Sequence, residues 1–276
     1  MFRDYFICDF PVILFLQKVF VYILTKKIMD KSTAPTDFTT KEYWDKFSTN
    51  LGRIQFEWYG SWSEISHLMN KYAKPKDTTL HVGIGNSDMA AKFYENLMIK
   101  NQMAIDIAGK AIEFQKRKFS KGEDIVYETA DVTTLKISET KFSKPFNVIV
   151  DKGTLDAILP ESGTANQIAQ KMFENIFNNL LAPFGRYMII SLSQNQVAEF
   201  IIKEMEKYPN IAVKIHVTNI TKIKNKFNVP VFLYCFVKFP RPVNPNGFSI
   251  SCYSLLRERS DLLFIQSIPY HQILNS

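Results

Sequence analysis

The sequence predicts an α/β protein with a mostly parallel sheet that is covered by helices on both faces. From residue 79 onward, short apolar runs alternate with amphipathic stretches at helical spacing, which is typical of this class. The chain has 276 residues, 46% of them hydrophobic and only 10 of them glycine. That length and composition suit a globular domain with a substantial core and exclude a low-complexity chain.

Two helical stretches are predicted before the sheet, at 41–47 and in a segment that ends at Tyr72. Beyond Pro75 the seven predicted strands are 79–84, 102–107, 125–131, 146–151, 185–192, 212–217 and 231–239. Helices are predicted between them at about 88–98, 109–118, 164–181 and 194–207. The basic segment 222–226 leaves no room for a helix between the last two strands, so we expect an antiparallel edge strand there.

The N-terminal residues 1–28 form an apolar extension that precedes the predicted domain at 29–240. Residues 5–24 are about long enough to span a bilayer, but Asp9 and Lys18 oppose insertion. Two interpretations remain open: a membrane anchor, or an upstream extension of a reading frame that starts at Met29. Residues 241–276 begin with prolines and contain no clear strand or helix pattern, so we expect a C-terminal tail.

The positive charge is concentrated at the two ends of the chain. The sequence has 34 basic and 27 acidic residues, yet residues 32–218 contain 22 of each. A nucleic-acid enzyme usually concentrates basic residues at its working surface, so we expect no nucleic-acid partner. We expect a cytoplasmic protein, with membrane attachment only if residues 5–24 act as an anchor.

The cysteines and histidines show no grouping that would hold a metal. The three cysteines are far apart, and the four histidines have no ligand-like spacing. We therefore expect neither a zinc module nor a disulfide framework.

The first strand leads directly into a glycine turn, Gly83-Ile-Gly85-Asn86-Ser87. Glycines at this point allow a ligand to approach the backbone. The third glycine of a dinucleotide fingerprint would fall at position 88, where the residue is Asp88. A carboxylate beside a pyrophosphate is repulsive, so this turn disfavours NAD, FAD and nucleoside triphosphates.

Acidic residues end the next three strands, at Asp106, Asp131 and Asp151. Such ends meet at the edge of an open sheet where ligands bind. Asp106 can accept hydrogen bonds from ribose hydroxyls, Asp131 from an adenine amino group, and Val132 can pack on the adenine ring. A ligand with a ribose, an adenine and a positive charge but no phosphate fits this set, and S-adenosylmethionine is such a ligand. Singly, each aspartate could instead be a helix cap.

These motifs together resemble the class I, Rossmann-like S-adenosylmethionine-dependent methyltransferases. The resemblance spans about residues 40–240. Within the family, this part of the sequence is most similar to the N-terminal domain of the methyltransferases that act on lysine and the N-terminus of elongation factor 1-alpha. Its most specific motifs are Phe56-Glu-Trp-Tyr-Gly60 and Asp151-Lys-Gly-Thr-Leu-Asp-Ala157. It implies a seven-stranded sheet of order 3-2-1-4-5-7-6 with strand 7 antiparallel.

The resemblance also implies roles for individual residues. Gly83, Gly85 and Asn86 would line the methionine moiety, Asp106 would bind the ribose, and Asp131 and Val132 would bind the adenine. Asp151 would lie near the transferred methyl as the catalytic carboxylate.

The implied acceptor is a lysine amine of a protein substrate, elongation factor 1-alpha, beside the aromatic side chains of Trp58 and Tyr59. We expect Phe56 to pack in the core. Because the second domain of fuller relatives does not follow here, N-terminal methylation is not implied. Two alternatives stay open: methylation of a small molecule or lipid, and a non-catalytic binding protein with the same fold.

Overall fold

The computed structural model describes residues 38–119, 125–159, 165–192, 195–218, 231–241 and 250–254. The N-terminal extension at 1–28, including the candidate anchor at 5–24, lies outside these residues. Within the described ranges, none of the helices combines the length and the apolar character needed to cross a bilayer.

The described chain alternates helices and strands as predicted. The helices are α1 (Lys41–Leu51), α2 (Trp62–Tyr72), α3 (Met89–Leu97), α4 (Gly109–Phe119), α5 (Thr154–Ile158), α6 (Ala165–Asn175) and α7 (Asn195–Met205). A π-helical turn, Ile176–Leu180, continues α6. The strands are β1 (Thr79–Val82), β2 (Gln102–Asp106), β3 (Ile125–Thr129), β4 (Phe146–Lys152), β5 (Leu181–Leu192), β6 (Ile211–Thr218), β7 (Val231–Lys238) and β8 (Ile250–Ser254).

The sheet has the order β3-β2-β1-β4-β5-β7-β6-β8. Strands β1 to β5 pair in parallel, and β7 runs antiparallel to both β5 and β6. The predicted order of seven strands and the antiparallel direction of β7 are therefore confirmed. The direction of winding reverses between β1 and β4, and Val82 pairs with Ile105 on one side and Asp151 on the other. Open α/β sheets bind their ligands at such a point.

An eighth strand extends the edge beyond the predicted seven. We expected no strand in the tail at 241–276, but Ile250–Ser254 pairs in parallel with β6, for example Ile215 beside Cys252. The physical reason is the exposed edge that β6 would otherwise present, with a row of backbone groups lacking partners. A five-residue strand after prolines has too short a pattern to be recognised from the sequence.

Both faces of the sheet are buried, which explains the continuous apolar runs of its central strands. On one face Leu80 and Ile149 pack with Phe173 of α6. On the other face Val148 and Val150 pack with Phe93 of α3. Helices α2 to α4 pack on one face of the sheet and α6 and α7 on the other. This packing fixes the positions of the carboxyl ends of β1 to β4.

Candidate active site

The two glycines of the turn after β1 both have positive φ angles but face different surroundings. Gly83 has a φ of 60°, and a Cβ there would lie 2.1 Å from Thr154 Oγ1. Gly85 has a φ of 52°, and a Cβ there would meet nothing within 4 Å. Gly83 is therefore required by packing within the protein, whereas Gly85 borders open space where a ligand can approach the backbone.

Asp106 holds this turn in place from the end of β2. Its Oδ2 accepts a hydrogen bond from the Gly85 amide at 2.8 Å, and its Oδ1 accepts one from the Ala108 amide at 2.8 Å. Burial raises the pKa of the Asp106 carboxyl to about 6, although these two amides act in the opposite direction. Each carboxylate oxygen has a second lone pair, so the group can also accept ribose hydroxyls as predicted.

Asn86 presents a buried acceptor that lacks a partner. Its Nδ2 donates to the Ile54 carbonyl at 3.0 Å, which fixes the orientation of the amide. Its Oδ1 is buried and has no hydrogen-bond partner among the described residues, and Asn86 is one of the residues that line the cavity. A buried acceptor of this kind is costly unless a ligand satisfies it, and an ammonium group would do so.

The predicted adenine subsite lies in the loop after β3. Asp131 is exposed, and its Oδ1 accepts from the Thr133 amide at 2.8 Å. Val132 is 6% exposed and lines the same cavity as Asp131. The sequence analysis missed the residue that fixes this loop: Asn175 of α6 donates to the carbonyls of Val132 at 2.7 Å and Leu135 at 2.9 Å.

Asp151 occupies a different position from the one that we expected. It is completely buried and is not among the residues that line the cavity. Its carboxylate accepts from the amides of Thr154 at 2.7 Å and Leu155 at 3.2 Å and from the Tyr187 hydroxyl at 3.1 Å. These hydrogen bonds use the carboxylate to satisfy the first amides of α5, whose N-cap residue is Gly153, and they do not support the expected contact with the methyl group.

The aromatic segment before α2 divides between the cavity and the interior. Trp58 and Phe56 line the cavity, so the expectation that Phe56 packs in the core is wrong. Tyr59 does not line it: the Tyr59 ring instead covers Gly153, where a Cβ would lie 2.9 Å from its Cε2. Tyr59 is 7% exposed with a φ of 60°, a strained conformation for a tyrosine.

Helix α1 contributes two further aromatic residues, Trp44 and Phe47, which the sequence analysis did not assign to the site. The Phe47 ring stacks on Trp58 with centroids 5.9 Å apart, and the Trp44 ring meets Trp58 edge to face at 6.4 Å. Both line the cavity. Their signal in the sequence was the aromatic run at 43–47, which we interpreted only as a helix.

A buried ion pair between Glu57 and Lys152 connects the two motifs that carry the resemblance. Lys152 Nζ binds Glu57 Oε2 and also donates to the Trp58 carbonyl at 3.1 Å. The Glu57 carboxylate further accepts from the Ser87 hydroxyl and the Asp88 amide, each at 2.8 Å. Glu57 thereby caps α3 and joins the aromatic segment to the glycine turn and the end of β4.

These elements enclose a cavity of about 370 Å³, a size typical of small-molecule sites. Its lining includes the polar group Gly85, Asn86, Asp106 and Asp131 and the aromatic group Trp44, Phe47, Phe56 and Trp58. The two groups are in contact, since the Phe56 amide donates to the Asn86 carbonyl at 3.4 Å.

The residues present fit S-adenosylmethionine. Asp106 can accept ribose hydroxyls, the unpartnered Oδ1 of Asn86 can accept from an ammonium group, and the open space at Gly85 leaves room for the ligand. The carboxylates of Asp106 and Asp131 favour a cationic ligand over a phosphate. The assignment of these residues to parts of the cofactor stays a prediction.

Comparison with known proteins gives a consistent result. Residues 73–232 match a family model described as a methyltransferase domain. The chain is 30% identical over 222 residues to the eEF1A lysine and N-terminal methyltransferase of Mus musculus, which covers 78% of this chain and 30% of that protein. It is 24% identical over 159 residues to the EEF1A lysine methyltransferase 4 of Bos taurus, which covers 54% of this chain and 60% of that protein. The chain thus spans about 30% of the length of the first of these relatives.

A solved structure of a S-adenosylmethionine-dependent methyltransferase from Clostridium acetobutylicum shares the fold. The TM-score is 0.50 at 14% identity, and the match covers 71% of this chain and 98% of the other. The family match extends over more than half of the chain and agrees with the glycine turn, the acidic strand ends and the sheet order. The chain therefore belongs to the S-adenosylmethionine-dependent methyltransferases, and S-adenosylmethionine is its cofactor.

Proposed function

We propose that this chain methylates a lysine side chain of elongation factor 1-alpha. Relatives that carry this activity in their names align with most of the described domain. The observation that carries the proposal is the aromatic part of the cavity lining, where Trp44, Phe47, Phe56 and Trp58 share the cavity with the residues that we predict to bind the cofactor. Aromatic faces accommodate an aliphatic chain that ends in a cation.

The aromatic wall also suits the chemistry of the amine. The bound cofactor supplies an electrophilic methyl group on a sulfonium, and the attacking nitrogen must be neutral because a protonated amine has no lone pair. An apolar environment lowers the pKa of a lysine amine and so increases its neutral fraction. The wall residues exclude water and align the nitrogen, and proximity of this kind accounts for much of the rate in bimolecular reactions.

The test is incubation of the full chain with recombinant elongation factor 1-alpha and labelled S-adenosylmethionine, followed by mass-spectrometric mapping of the label. We expect label on a lysine, and at low cofactor concentration we expect Asp106→Ala to reduce it by about tenfold or more, in step with weaker cofactor binding. A parallel incubation with a cell extract distinguishes the alternatives. Label on other proteins but not on the factor would refute this substrate, label on small molecules or lipids would favour that class, and cofactor binding without transfer would indicate a binding protein.

A further inference from the structure

The charged residues that line the cavity differ in their exposure to solvent. They are Asp106, Asp131, Lys152 and Lys171. Lys171 is exposed, whereas the Lys152 side chain is only 7% exposed. A buried cation therefore forms part of the wall of a site whose ligand is itself a cation, and two like charges in a poorly solvated site repel each other.

Glu57 offsets the charge of Lys152. The Glu57 side chain is 15% exposed and contacts Lys152 directly. Burial acts to raise the pKa of the Glu57 carboxyl, but the charge and hydrogen bond of Lys152, together with the hydrogen bonds from the Asp88 amide and the Ser87 hydroxyl, hold that pKa below its usual value. Asp88, whose amide donates to Glu57, is partly exposed, and both its burial and the charge of Glu57 raise the pKa of its carboxyl. Glu57 is therefore the carboxylate that neutralises Lys152.

We propose that Glu57 is a positioning residue that acts through Lys152: its carboxylate offsets the lysine charge in the cavity wall, so that the wall does not disfavour the cationic cofactor relative to its neutral product. The cofactor carries a sulfonium, whereas the product, S-adenosylhomocysteine, carries an uncharged thioether on an otherwise similar skeleton. The proposal depends on the cofactor and not on the acceptor proposed above.

Substitutions of Glu57 and of Lys152 should shift the relative affinity for cofactor and product in opposite directions. A purely structural role of the pair would not produce opposite shifts. Glu57→Gln leaves the Lys152 cation unpaired, so we expect the ratio of dissociation constants, S-adenosylmethionine over S-adenosylhomocysteine, to rise by about fivefold or more. Lys152→Met leaves the Glu57 carboxylate, which keeps its hydrogen bonds from Ser87 and the Asp88 amide. We expect the same ratio to fall by a similar factor.

The experiment is isothermal titration calorimetry at pH 7.5 with each ligand and the purified full chain, with circular dichroism to establish that each variant is folded. The double variant Glu57→Gln with Lys152→Met removes both charges and should return the ratio to near the wild-type value. Lys136→Met, which removes an exposed cation outside the cavity lining, is the control and should leave the ratio unchanged because solvent screens that charge.

Two results would overturn the proposal. One is an unchanged ratio in both single variants, even where both ligands bind more weakly, because this would show that the pair only holds the loop. The other is a shift of the same sign in both variants, which charge cannot produce. Neither result would bear on the elongation-factor substrate, since no acceptor is present in the titration.

Discussion

Single residues of the glycine turn show how packing and ligand access place different demands on the same residue type. Gly83 and Gly85 have nearly equal φ angles, but only Gly83 is enclosed by protein atoms. Any side chain at either position is strained by the backbone, at a cost of about 1 kcal/mol. The additional cost of a clash arises at Gly83 alone.

We therefore expect Gly83→Ala and Gly85→Ala to separate stability from binding. Gly83→Ala should lower the unfolding free energy by more than about 2 kcal/mol, because Thr154 Oγ1 must move and release its hydrogen bond to the Val82 carbonyl. Gly85→Ala should lower the unfolding free energy by only about 1 kcal/mol, yet it should weaken cofactor binding more than Gly83→Ala does. Urea unfolding and calorimetry measure the two quantities, and equal stability losses would contradict the packing argument.

Asp106 should make cofactor binding depend on pH. Its pKa is about 6 in the free protein, and the ionised form is the better acceptor for ribose hydroxyls. Affinity should therefore rise with pH through about 6 and be up to about tenfold lower at pH 5 than at pH 7.5. Asp106→Asn should weaken binding at pH 7.5 by about tenfold and remove this dependence. If the variant keeps the wild-type pH profile, another group is responsible.

At the scale of elements, most of the strands and helices followed from the sequence because each carries its own pattern of buried residues. The apolar run that predicted β4 is buried along most of its length. The features of the site that the sequence analysis did not predict depend on contacts between segments that are distant in the sequence. Glu57 and Lys152 are 95 residues apart, and each in isolation is typical of a solvated surface residue. Trp44 and Phe47 reach the site only because α1 packs against it.

Asp151 shows that a strand-end carboxylate can serve an element and not the ligand. Helix α5 has only five residues, and its first amides depend on this carboxylate. We expect Asp151→Asn to keep the fold, because the amide oxygen of asparagine can still accept from the Thr154 amide and asparagine caps helices about as well as aspartate. The methyl-transfer rate of the folded variant should stay within about threefold of wild type. A loss of a hundredfold or more, with the fold intact, would restore the catalytic role that we first expected.

At the scale of the whole molecule, the edge that binds the cofactor is also the edge where acidic groups are buried. Asp106, Asp151 and Asp156 all lie at the carboxyl ends of the central strands or just beyond them. Burial raises their pKa values to about 6, about 7 and about 8 respectively. The site is thus assembled at a cost in stability, which is common where function requires buried polar groups.

This cost should appear as a loss of stability with rising pH. In the unfolded chain these carboxyls have a pKa of about 4. Between about pH 4 and pH 8 these carboxyls therefore bind more protons in the folded protein than in the unfolded chain, and their contribution to stability falls as the pH rises. Buried His81, whose pKa is lowered to about 4, acts in the opposite direction below about pH 6.5. Each carboxyl contributes about 1.4 kcal/mol per pH unit, from its unfolded pKa up to its folded pKa.

Asp156 should account for the alkaline part of this loss. The residue is partly exposed, but its Oδ2 is buried and has no hydrogen-bond partner among the described residues. Its Oδ1 accepts from the Ser191 hydroxyl at 2.9 Å, and the nearby Asp151 charge adds to the effect of burial on its pKa. Asp156→Asn removes the titrating group at nearly constant shape, so the unfolding free energy should fall less steeply between pH 5 and pH 8.

Glu139→Gln, at an exposed surface pair with Lys136, serves as the control and should keep the wild-type slope. Urea unfolding across this range measures the slopes, and a slope for Asp156→Asn equal to that of the wild type would contradict this assignment.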